Sequence, residues 1–176
     1  GTDLSLNADG SLLLIGAPLE DSSSTGLDGN ESDNSSRNSG AAYLFTRTGD
    51  MWAQQTFFKA SNTGGIDEFG TAVALSSDGN ALVISAPRES SQSIGINGAE
   101  NIDGVVGSGA MYYFENSTGG WQQEAFVKGS VRGFSLQFGF DVDLAVVNAG
   151  EPDEINVLVG STPFEDGGAN DSGALF

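Results

Sequence analysis

Neither cysteine nor histidine occurs in the 176 residues. Without thiols there is no disulfide framework and no thiolate metal site. Without imidazole the Ser-His-Asp and Cys-His catalytic arrangements and the usual zinc sites are closed. Basic side chains are scarce, 6 against 24 acidic ones, which leaves a net charge of −18. Such a surface repels nucleic acid and anionic lipid, attracts divalent cations and solvates long loops. Long apolar runs are missing too. Stretches such as Ser11-Leu12-Leu13-Leu14-Ile15 and Ala81-Leu82-Val83-Ile84 fall far short of the ~18 residues of a membrane helix, so no membrane insertion is expected. No segment carries a 3.6-residue apolar period, so almost no helix is expected. The chain opens on Gly1 with neither initiator Met nor secretory leader. It therefore reads as a processed product or a piece of something longer.

What is present is glycine, 26 residues of it, and enough apolar residues (38%) for a core. Short strands joined by turns have this signature. Sliding the chain by 69 residues aligns it on itself. Asp9-Gly10 meets Asp78-Gly79, and Ile15, Ala17 and Pro18 meet Ile84, Ala86 and Pro87. Ser39-Gly40-Ala41 meets Ser108-Gly109-Ala110. Tyr43, Phe45, Trp52 and Lys59 meet Tyr112, Phe114, Trp121 and Lys128, and Phe69-Gly70 meets Phe138-Gly139. The copies are residues 1–69, 70–138 and a partial third, 139–176, with an insertion of about six residues.

Each full copy holds four strand-like segments. The first are Leu4–Asn7 and Ala72–Ser76, followed by Asp-Gly, a strong hairpin signal because both residues tolerate positive φ. Next come Leu12–Gly16 and Ala81–Ser85, whose continuous apolar character predicts burial on both faces and which end at Pro18 and Pro87. After a long polar loop come Ala41–Thr46 and Ala110–Glu115, then Trp52–Ala60 and Trp121–Gly129. Trp52, Trp121, Lys59 and Lys128 recur in register and read as structural, the tryptophans as core. Four antiparallel strands per unit in tandem predict an all-β chain of β-propeller blades.

Phe69-Gly70 with Ala72-Val73-Ala74-Leu75-Ser76 and Ile84-Ser85-Ala86-Pro87, and in the first copy Ile15-Gly16-Ala17-Pro18, resembles the FG-GAP repeat. The bacterial-type subgroup, with its Ser-Gly-Ala-x-Tyr-x-Phe strand, is the nearest likeness. The resemblance implies an integrin-α-like propeller at an extracellular or cell-surface location. It implies adhesion or ligand binding, and chemistry carried elsewhere in enzymes that contain such repeats, so no enzyme is expected here. The third copy departs from the pattern, with Gly160-Ser161-Thr162-Pro163 and no fourth strand.

In integrin-like copies, the resemblance implies, a loop with Asp or Asn at alternate positions holds calcium. The matching stretch includes Asn7 and Asp9 but lacks the closing acid, and the hairpin-turn reading is the better one. The long loop offers Glu20, Asp21, Asp28, Asn30, Glu31 and Asp33 without a cation among them. Glu20 and Glu31 recur as Glu89 and Glu100, and Asp28 becomes Asn97. These oxygens could cage calcium or form Asx turns in a solvated loop. Glycan-acceptor sequons start at Asn30, Asn34, Asn116 and Asn170.

Two and a half copies do not close a ring, which points to part of a larger chain or an assembly joined through strand edges. The partner is then a protein or glycan ligand, or copies of the chain itself in a filament or surface appendage. The long loops, residues 19–38 and 88–107, are the expected contact surface.

Overall fold

The computed structural model describes residues 1–147 and 155–163, and the backbone of 174–175. Twelve strands form three antiparallel sheets, with no helix among the described residues. The first sheet runs in chain order: β1 (Asp3–Leu6), β2 (Leu12–Ala17), β3 (Ala41–Thr48), β4 (Met51–Phe58). The second contains β5 (Val73–Leu75), β6 (Ala81–Ala86), β7 (Gly95–Ile96), β8 (Ala110–Ser117) and β9 (Gly120–Lys128), in the order β5-β6-β8-β9-β7. The third is β10 (Val142–Val147), β11 (Ile155–Thr162) and β12 (Ala174–Leu175). A bulge recurs in register, at Leu44/Phe45 and at Tyr113/Phe114.

β7 is an addition to the expected four strands. The long loop folds back on the outer edge of β9, pairing Gly95 with Lys128 and Ile96 with Val127. The first sheet has the same contact in reduced form, as a bridge from Leu27 to Phe58. A loop laid along the outer strand covers part of an edge that would otherwise invite pairing with another chain.

The sheets stack face to face like blades. Between the first and second lies one core, with Leu14, Leu44 and Phe58 from the first and Val73, Leu82, Ile84, Tyr112, Phe114 and Phe126 from the second. Between the second and third lies another, with Val83, Met111, Phe138 and Leu144. The two interfaces exchange volumes at matching positions. Ala42 and Ile84 are both buried in the first core. Their counterparts in the second are Met111 and Gly160, and a Cβ on Gly160 would lie 2.4 Å from the Met111 sulfur.

β6 is buried at every position, as its apolar run predicts. β2 is not; it alternates between half-buried and buried, because no sheet covers its second face. For the same reason Trp52 is not a core residue. It is 40% exposed, with Arg47 over its ring at 6.0 Å. Trp121 packs edge-on against Phe58 at 5.8 Å, across the interface.

Val142 faces Gly160 across the third hairpin where Val73 faces Ile84 in the second. The third hairpin is therefore seven residues longer. Part of the extra length is paired, since the β10–β11 ladder runs on to Val147 and Ile155, and the rest lies in residues 148–154, outside the described residues.

Glycine is required where the chain crosses from one sheet to the next. Phe69 forms a parallel bridge with Gly40, and Gly70 (φ +88°) then donates its N–H to Ser85 O at 2.7 Å. A Cβ on Gly16 would sit 2.0 Å from the Gly70 carbonyl oxygen. The Phe-Gly and the Gly-Ala-Pro stretches are thus two sides of one backbone-to-backbone contact. Gly109 and Phe138 repeat the bridge.

Candidate loop-rim binding site

The β2–β3 loop and the β4–β5 crossover emerge at the same end of the sheet, opposite the Asp-Gly hairpins, and so do the β6–β8 and β9–β10 connections. At this rim each long loop is pinned at its base by a buried ion pair. The Lys59 ammonium donates to Glu20 Oε2 at 2.8 Å, Ser39 Oγ at 2.8 Å and Gly40 O at 2.6 Å. In the next copy Lys128 donates to Glu89 Oε2 and to Ser108 Oγ. Burial pulls both lysines below the usual ammonium range, and the facing glutamate opposes it. The glutamates that recur at the loop start are therefore counter-ions of the recurring lysines.

The other acidic loop residues have structural partners as well. Asp28 (φ 51°) accepts Phe57 N–H through Oδ1 at 2.9 Å, and Asn97 (φ 54°) accepts Phe126 N–H at 2.9 Å. An Asp-to-Asn change between copies is explained by that role. Both side chains offer Oδ1, and both tolerate positive φ. Glu31 accepts Gln54 Nε2 at 2.6 Å, and Glu100 accepts Gln123 Nε2 at 3.4 Å. Asp21 accepts Asn38 N–H at 2.6 Å, and Asn30 accepts Ser32 N–H at 3.1 Å. Asp33 accepts from Ser23 N–H and Oγ and from Ser35 Oγ, bonds that hold its carboxyl down at about 2. In the first hairpin Asn7 accepts Leu12 N–H at 2.9 Å and Asp9 accepts Ser11 N–H at 2.8 Å. These oxygens are spread along the loop and hairpin as staples. Among the described residues no group of three acidic side chains gathers where a metal ion would need them. The set does not fit a calcium cage, which needs six to eight converging oxygens. The sequon residues Asn30, Asn34 and Asn116 are exposed, and Asn170 lies outside the described residues.

Three features of the rim are not visible in the pattern of acids. The first is a zipper between the loop end and the crossover. Ile66 N–H donates to Arg37 O, Glu68 N–H to Asn38 O and Phe69 N–H to Ser39 O. Ser135, Gln137 and Phe138 make the same bonds to Val106, Gly107 and Ser108. This pairing holds Ile66 (φ 72°), Glu68 (φ 57°), Ser135 (φ 57°) and Gln137 (φ 55°) in the left-handed region. For a β-branched residue such as Ile66 that conformation costs roughly 1–3 kcal/mol.

The second feature is Asp67, held between two left-handed residues and only 7% exposed. Burial, then the charge of Glu89, raises its carboxyl to about 7. Its Oδ2 accepts Gly64 N–H at 2.9 Å. The second copy has Leu136 at this position, equally buried. Nearby, Asn62 donates to Glu89 Oε1 and Glu100 O and accepts Tyr112 O–H at 2.6 Å, tying the crossover to the second long loop.

The third is a cleft of about 390 Å³ between the two zippers, lined by Gly65, Ile66, Arg88, Ser90, Val106 and Ser135 among others. Beside it, Ile94, Ile102 and Arg132 line a second hollow of about 430 Å³. Ile66, Ile94, Ile102, Val106 and Phe134 are all at least 46% exposed. Of the six basic residues, Lys59 and Lys128 are buried and Arg47 lies by the opposite hairpins. Arg37, Arg88 and Arg132 are all on this rim.

No curated protein matches the chain. Residues 52–114, from the outer strand of the first sheet through the crossover to β8, match the family described as FG-GAP repeat. The match spans the Phe-Gly crossing whose packing is set out above, and this part of the chain is similar to an FG-GAP repeat.

Proposed function

We propose that this chain is a non-catalytic binding module of an extracellular adhesion protein, which meets a protein or glycan ligand through its long-loop rim. One observation carries the reading: exposed apolar side chains and three arginines gather at one rim, on long loops whose bases are pinned to the sheets by buried ion pairs and on the crossovers beside them. Recognition residues on loops held by a rigid scaffold are a common binding design. The test displays the protein on beads, beside a variant with Ile102, Val106 and Phe134 changed to Ser. Both are offered to panels of extracellular matrix proteins and glycans, with calcium and with chelator. Retention on at least one surface, lost in the variant at unchanged circular dichroism, is the expected result. Equal behaviour of the two on every surface overturns the reading.

A second reading, a structural subunit joined through its open sheet faces, is favoured by one observation. Leu4, Leu6 and Trp52 leave the first sheet with an exposed apolar face. Concentration-dependent growth of the particle mass in solution, abolished by Leu4→Ser and Trp52→Ser together, is its signature.

A further inference from the structure

We propose that the cleft between the two crossover zippers is a carboxylate-recognition site, taking an acidic side chain of a protein ligand on Arg88; the proposal rests on the loop-rim reading above. The cleft is the meeting point of four segments: the crossover at Gly65 and Ile66, the loop start at Arg88 and Ser90, the loop end at Val106 and Gly107, and the next crossover at Ser135 and Gln137. Backbone bonds set much of its shape, because Ile66, Val106, Gly107, Ser135 and Gln137 belong to the zippers. A pocket formed in advance gives up less conformational freedom on binding.

Arg88 is the charged group on the wall. Its main chain is fixed by a bond from its N–H to Asp67 O, while its side chain is 49% exposed. The guanidinium meets Glu68 through Nε at 3.4 Å, a long contact, and Arg88 is among the residues that line the cleft. A carboxylate matches the guanidinium fork with two parallel hydrogen bonds, which a neutral amide does not. Ile66 and Val106, both exposed, supply the apolar flanks for the methylenes of an aspartate or glutamate. The net charge of the chain opposes this ligand at long range. An acidic ligand that binds must therefore be held by a local feature, which makes the site open to a clear test.

The experiment pans a random peptide display library against the immobilised chain and measures the selected peptides on wild type, Arg88→Gln, Glu68→Gln and Asp50→Asn, the last removing an acid at the distant β3–β4 turn. Expected are peptides enriched in Asp or Glu, whose affinity falls at least about tenfold in Arg88→Gln and rises a few-fold in Glu68→Gln, where the competing acid is gone. Asp50→Asn should change nothing, and replacing the peptide's acid by its amide should match the loss in Arg88→Gln. Peptides without acidic residues that respond to the Ile102/Val106/Phe134 changes but not to Arg88→Gln would overturn the carboxylate site and leave the rim reading standing. Peptides indifferent to every rim change would overturn both. Acidic peptides that gain equally from Glu68→Gln and Asp50→Asn would show only relief of net charge and would also overturn the site.

Discussion

Trp52 and Trp121 stand one repeat apart, near the start of β4 and of β9, yet one is 40% exposed beneath Arg47 and the other packs on Phe58 in the core between two sheets. β2 and β6 differ in the same way, the first half-buried and the second buried throughout. In a stacked repeat a residue's environment comes from the neighbouring copy as much as from its own. The pattern of apolar residues says which face is meant to be covered, and the neighbour decides whether it is.

The ion pairs offer the sharpest test of that contrast. Glu89 is 1% exposed, while the Glu20 side chain keeps 12%. Lys128→Met should cost about 3–5 kcal/mol by stranding a buried carboxylate, and Lys59→Met distinctly less because Glu20 keeps some water. Urea denaturation of both variants reads the difference, and equal losses would mean that the two loop bases are equivalent. The tryptophans follow. Trp121→Ala should destabilise by about 3 kcal/mol and Trp52→Ala by no more than about 1 kcal/mol. A comparable loss from Trp52→Ala would show that the first sheet is covered in solution, the outcome that the assembly reading requires.

Asp67 and Leu136 give a smaller, pH-dependent contrast. The folded carboxyl, raised to about 7, binds a proton that the unfolded chain releases near 3.8. Asp67 therefore contributes no penalty below about pH 4, one that grows as pH rises from there to about 7, and a constant one above. Asp67→Asn keeps the acceptor for Gly64 and removes the titration. The variant should gain on the order of 1 kcal/mol over wild type between pH 5 and pH 8. Parallel stability curves for the two proteins across that range would contradict the burial of this charge.

The strands were legible because each has a local signature. Asp9-Gly10 and Asp78-Gly79 mark hairpins, Pro18 and Pro87 follow the ends of β2 and β6, and apolar runs fill the interior. Recurrence also set Glu20, Glu31 and Asp28 apart in the long loop. It did not reveal the constraint, because their partners Lys59, Gln54 and Phe57 N–H come from β4 and the residue that follows it, twenty-three to thirty-nine residues on. The sequence pattern therefore pointed to a metal loop as readily as to a stapled one. The cleft at Arg88 was illegible for a related reason. Its walls come from four separated segments, and the left-handed conformation of Ile66 is imposed by a bond to Arg37 O that no propensity of isoleucine foretells.

The closed bases of the long loops have a consequence for how this chain can change. Gly40 N–H donates to Glu20 O at 2.9 Å, and Gly109 N–H to Glu89 O at 3.0 Å, so each loop leaves and re-enters its sheet through one hydrogen-bonded neck. Lengthening the segment beyond the neck adds little closure entropy, since each doubling costs only about 0.6 kcal/mol. New sequence spliced in between Ser24 and Ser35 would leave the register of β2 and β3 untouched. The first two repeats are thus sockets in which the loop can be exchanged while the stack stays the same.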